Sequence, residues 1–220
     1  MAEYIEGAVH GGANNSRSAK DAHRKLAIDA GGAVLSTLDV WAREGRVFVA
    51  RDGDENDTVL GATSYAATTP TFLLVIPDDT VGIPLSVRLV QVGTVAGDNI
   101  SVHISADSTN LFSSGGTSET IKSTRTDNTR NSAATFYSAA TAAAATASRI
   151  VLDHDVIAED VDPASADAAR FDYLWTPATN GMGPVYLVGP ASFLVYTYAA
   201  TTGPTWRWSV VWAEIPESEL

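Results

Sequence analysis

The chain has no cysteine. Disulfide staples, zinc thiolates and thiol nucleophiles are therefore excluded, and packing must hold the fold, with oligomerisation as an additional route. Positive charge is scarce as well. Fourteen Lys and Arg stand against 26 Asp and Glu, a formal net charge of −12. The shortage deepens along the chain, from five against six in residues 1–44, to six against ten in 45–130, to three against ten in 131–220. Such a surface repels phosphate, so direct binding of nucleic acid or of an anionic membrane is disfavoured. Long apolar runs are also missing. The densest, "FLLVI" at 72–76, is far too short to cross a bilayer. The opening "MAEYIEG" is acidic and lacks an apolar h-region, so cytoplasmic synthesis is the expectation.

What is present suits one sizeable core. Of 220 residues, 45% are hydrophobic. Residues 1–44 form an arm. "HGGANNSRSAK" (10–20) is small and polar, and Ala22, Leu26 and Ala30 are weakly helix-spaced before Gly31 and Gly32 interrupt them. This predicts a short helix or an extended segment carrying Arg17, Lys20, Arg24 and Lys25, the residues that would contact neighbouring subunits if the chain assembles. From residue 45 the texture is that of strands. "FLLVI" reads as a buried strand. "IPLSVRLVQVG" (83–93) sets Leu85, Val87 and Leu89 against Ser86 and Arg88. "NISVHISAD" (99–107) sets Ile100, Val102 and Ile104 inside, with Asn99, Ser101, His103 and Ser105 on a wet face. Residues 107–149 are rich in Ser, Thr, Ala and Gly. They read as a long insertion, either a loop that orders against a neighbour or a stretch hiding weak strands. Strand texture returns at 148–154 and in "FDYLWTP" (171–177), "GPVYLVGP" and "ASFLVYTYAA". Eight or nine strands with frequent Gly and Pro, and no sustained helical period, predict an all-β antiparallel sandwich or barrel over 45–220.

Catalytic constellations are not evident. The chain has no G-x-S-x-G, P-loop or H-E-x-x-H, and "GMGPVYLVG" (181–189) has Tyr186 where a dinucleotide fingerprint needs its third glycine. His10, His23, His103 and His154 lack metal-like spacing. Two acidic stretches could attract calcium: Asp52, Asp54, Asn56 and Asp57, and Asp153, Asp155, Glu159, Asp160 and Asp162 around His154. The first fails the calcium-loop pattern at Asp57 and Thr63, so both read as solvated loops, and no metal or cofactor is expected. Glu214 beside Trp212 is the one pairing that suggests a glycan hydrolase.

The last strand, "TWRWSVVWAEIPE" (205–217), concentrates three of the five tryptophans. Period two puts Trp206, Trp208, Val210 and Trp212 on one face. Buried, they form a core or a subunit seam. Exposed, Trp206 with Tyr196 and Tyr198 would stack on glycans, as in a carbohydrate-binding or receptor-binding spike module. Two short motifs bear on the choice: Pro77, Gly82 and Pro84 ahead of a long alternating strand, and Trp212, Glu214, Ile215 and Pro216 at the end. On these, residues 70–106 and 190–216 resemble structural proteins of tailed-phage genomes. By analogy with capsid decoration (cement) proteins, the resemblance implies a non-enzymatic jelly roll. It would sit as a homotrimer on the exterior of a phage head, made in the host cytoplasm, with the major capsid protein and identical subunits as partners.

Overall fold

The computed structural model describes residues 4–8, 23–27, 36–52, 58–92, 99–127, 130–157, 172–200 and 203–220. It divides into two compact units, residues 1–44 and 45–220. In the first, β1 (Tyr4–Ala8) and β2 (His23–Ala27) pair antiparallel, so the helix-spaced Leu26 lies in a strand. The unit's helix is α1 (Thr37–Arg43). It starts where Ser36 and Asp39 form a reciprocal capping box, which satisfies amides that the first turn leaves without partners. Arg17 and Lys20 lie outside the described residues, and Arg24 and Lys25 sit in β2.

The second unit is an antiparallel two-sheet sandwich. Its strands are β3 (Val47–Arg51), β4 (Val59–Leu60), β5 (Phe72–Ile76), β6 (Thr80–Gln91), β7 (Ile100–Asp107), β8 (Phe112–Ser114), β9 (Thr117–Ser118), β10 (Ile121–Ser123), β11 (Thr135–Ser138), β12 (Thr141–Ala142), β13 (Ile150–Ile157), β14 (Asp172–Trp175), β15 (Leu187–Val188), β16 (Ala191–Ala199) and β17 (Thr205–Pro216). One sheet runs β10-β3-β17-β6-β14, with β4 joining β17 and β15 joining β6. The other runs β13-β7-β16-β5-β11-β9. The long strands nest: β3 pairs with β17, β5 with β16, β6 with β14 and β7 with β13, early strands meeting late ones in reverse order.

The core between the sheets is aromatic. Trp206, Trp208, Val210 and Trp212 all face into it, as period two predicts. Phe136 stacks on Trp208 at 5.3 Å and on Trp212 at 6.0 Å, with interplanar angles of 10° and 11°. Phe72 closes the group at 4.7 Å from Trp208. Burying each such ring contributes about 2–3 kcal/mol in transfer terms, before packing is counted. The two sheets are also tied at one edge, where the Tyr173 hydroxyl of β14 donates to the Asp153 carboxylate of β13.

Two expectations need correction. Leu85 is only half-buried, because β6 bulges there: Val211 faces Ser86, Trp212 faces Pro84, and Leu85 is the extra residue between. The outer face of β7 is covered rather than wet. Ser101, Ser105 and Asp107 are buried, and His103 is half-buried. The same covering buries "FLLVI" on both faces, in keeping with its reading as a buried strand. Phe72, Leu74 and Ile76 join the inter-sheet core, while Leu73 and Val75 join a second cluster with Leu111, Ala140, Ala142, Leu194 and Tyr196.

That second cluster is roofed by the polar insertion. Its short strands β8 and β12 pair with each other, β9 and β11 extend the second sheet, and β10 extends the first. The weak strands are thus ordered within their own chain, and the alanine run supplies Ala140 and Ala142 to the cluster. In "GPVYLVGP", by contrast, only Leu187 and Val188 pair as a strand.

Candidate functional site

Titratable and aromatic side chains gather on the outer face of the second sheet. The register aligns Tyr196 of β16, His103 of β7 and His154 of β13 in one row across three strands. Their rings touch in sequence, His103 lying 5.6 Å from Tyr196 and 5.5 Å from His154, both edge-to-face. Tyr65 caps the row at 5.2 Å from His103 and 5.1 Å from Tyr196. It is held there by backbone pairing. Ala62 donates to Thr197 O at 2.9 Å, Ala199 donates back to Ala62 O at 3.1 Å, and Gly61 donates to Pro204 O at 2.7 Å. The Tyr196 hydroxyl then fixes the segment by donating to Ala67 O at 2.8 Å.

Arg149 completes the group, its guanidinium 5.9 Å from the centre of the Tyr196 ring. The three guanidinium nitrogens and His103 Nε2 are shielded from solvent, without a hydrogen-bond partner among the described residues. The electrostatics follow. Burial lowers the His103 pKa, the nearby His154 and Arg149 charges lower it further, and Asp153 opposes them. Burial pushes the Tyr196 phenol up to about 12 despite the Arg149 cation. At neutral pH the cluster therefore holds a neutral imidazole and a protonated phenol, which suits packing and pH response rather than nucleophilic attack.

Two buried carboxylates flank this face and the core. Asp107 accepts from Thr146 N at 3.0 Å, Thr146 Oγ1 at 2.7 Å and Ser148 Oγ at 3.0 Å. Burial works to raise its pKa, but these bonds and Arg149 outweigh it, and the net shift is downward. Glu214 accepts from Trp212 Nε1 and Ala133 N, both at 2.8 Å, and from the Ser132 hydroxyl. Its oxygens are thus committed to structure, and the residue is only 3% exposed. The pairing with Trp212 noted in the sequence is a hydrogen bond that orients an indole.

Beside Asp107 lies a groove of about 260 Å³, lined by Ser148, Ile150, Tyr186, Val188 and Ala191 among others. Ile150, Tyr186 and Val188 are exposed apolar side chains, and Val151 next to them is too. Sequence reasoning missed this patch, because exposure of these residues depends on where β13 and β15 end up. The residues it did single out are distributed differently. Trp206, Trp208 and Trp212 share the core. Trp206 and Tyr196 are buried, so in this conformation neither offers a ring face to a glycan; Tyr198 is half-buried against Tyr65. Of the acidic stretches, 53–57 and 158–171 lie outside the described residues. Among the described residues no three His, Asp or Glu group to hold a metal ion, and no helix is long and apolar enough to cross a membrane.

No family model, curated protein or solved structure matches the chain.

Proposed function

We propose that the chain is a structural protein of a phage virion, a decoration subunit that binds the outside of the head as a homotrimer. The nested pairing of the long strands carries this reading. When β3, β5, β6 and β7 meet β17, β16, β14 and β13 in that order, the chain is one long antiparallel hairpin folded across two sheets. We read this connectivity as that of a jelly roll, the fold expected of such subunits. The resemblance motifs add support, because they are register neighbours: Trp212 faces Pro84, Glu214 faces Gly82 and Ile215 faces Val81. Gly82 is needed for that packing, since a Cβ there would lie 2.4 Å from Ile76 Cδ1. The exposed apolar groove at Ile150, Tyr186 and Val188 is the surface we assign to the subunit contact.

The test is native mass and co-sedimentation of the full chain with and without empty phage heads. A mass of three chains and pelleting with the heads supports the reading. A monomer that stays in the supernatant overturns it.

A further inference from the structure

The outer face of the first sheet differs in charge from the rest of the molecule. Ser209 of β17 lies between Arg51 of β3 and Arg88 of β6. Arg207 is two residues along β17, and Lys122 stands opposite Val49. Strand alternation puts all four cations on the face away from the tryptophans, and all four are exposed. Two carboxylates share the region among the described residues: Asp172, bonded to Arg88 Nε at 3.0 Å, and Asp52. Arg51, Asp52, Arg88, Arg207 and Ser209 are among the residues lining a groove of about 280 Å³. Among the described residues cations thus outnumber acids here, in a chain where acids outnumber cations 26 to 14.

We infer that this face is a docking site for a short, carboxylate-rich segment of a protein partner. Arg51, Arg88 and Arg207 set guanidinium groups on three adjacent strands, Arg88 with its fork already on Asp172, and groups of this kind match carboxylate geometry. Size selects among anions. From β10 to β14 is four strand spacings, about 19 Å. A long polyanion such as nucleic acid or a sulfated glycan would run off this strip onto surface of its own sign. A segment with two or three carboxylates stays within it. The inference does not depend on the virion reading.

The experiment measures binding of a fluorescent hexaglutamate to the full chain at about 10 mM salt, where charges interact over about 30 Å, and again at about 0.15 M. The comparison proteins are the double variant Arg51→Gln, Arg207→Gln, and the same positions changed to Lys. Circular dichroism and the denaturation midpoint verify folding. Expected results are saturable binding that weakens at least tenfold in the Gln variant, recovers in part in the Lys variant, and falls with salt. Absence of binding at low salt overturns the inference, as does undiminished binding by the folded Gln variant. A heparin hexasaccharide that binds more tightly than hexaglutamate also overturns it, in favour of a sulfated glycan.

Discussion

The two outer faces of the sandwich begin from similar strand patterns and end differently. On the first sheet, the residues opposite the core (Val49, Arg51, Ser86, Arg88, Arg207, Ser209) are exposed or half-buried. On the second, Leu73, Val75, Ser105, Leu194 and Tyr196 occupy the equivalent positions and are buried. What separates them is a segment from elsewhere in the chain. The insertion and the Tyr65 loop fold over one face and leave the other to solvent. Alternation therefore assigns residues to a face, but which face is wet depends on what else packs there.

The sharpest break of this comparison is at Phe136, which the insertion sends into the tryptophan core. Phe136→Ala should destabilise by about 3–5 kcal/mol, read as a lower urea midpoint, with near-UV dichroism of the indoles reduced. An unchanged midpoint would mean that the insertion does not contribute to the core.

Glu214 is the next test, because it ties the terminal strand to the same insertion. Glu214→Ala leaves the Trp212 indole N–H and the Ala133 amide without their acceptor. The expected cost is about 2–3 kcal/mol, with Glu214→Gln milder because an amide oxygen still accepts. Equal losses for the two variants would show that charge, not hydrogen bonding, is what matters there.

The covered face can be probed by pH. His103 is shielded by Tyr65 and Tyr196, faces Arg149 and His154, and has Asp153 as its counter-charge. Its folded pKa is lowered, whereas the unfolded imidazole keeps its ordinary value near 6.5. The stability it confers is therefore complete above about pH 6.5 and is lost as pH falls through the lowered folded value. The melting temperature should drop between pH 7 and pH 5, and His103→Gln should flatten that slope. A slope that the variant leaves intact would assign the titration elsewhere.

The smallest effect belongs to the open face. The Arg88–Asp172 pair is well exposed, with side-chain exposures of 52% and 36%. Solvent and salt screen it, so Arg88→Ala should leave the denaturation midpoint unchanged within error. A clear loss would place that face under cover as well.

Much of the inter-sheet core was legible in the sequence. Trp206, Trp208 and Trp212 recur with period two over a strand long enough to register it, as do Ile100, Val102 and Ile104. The insertion was not legible, because Leu111-Phe112 and Phe136-Tyr137 are isolated pairs among small residues and periodicity needs several spaced apolar positions to register. Leu85 was misplaced for a related reason: a bulge is a property of a strand pair, and one strand alone carries no sign of it. The cationic face was equally hidden, since Arg51, Arg88 and Arg207 are distant in sequence and converge only when β3, β6 and β17 become neighbours.

Composition and local pattern determined the sheet content, the inward faces of β7 and β17 and the dependence on packing without disulfides. These follow from side-chain transfer and from the two-residue pleat, which act residue by residue. Tertiary structure decided which outer face is roofed, which acids become buried acceptors and where the arginines gather. Those outcomes rest on contacts between distant segments, and their free energies exist only once the chain has brought the partners together.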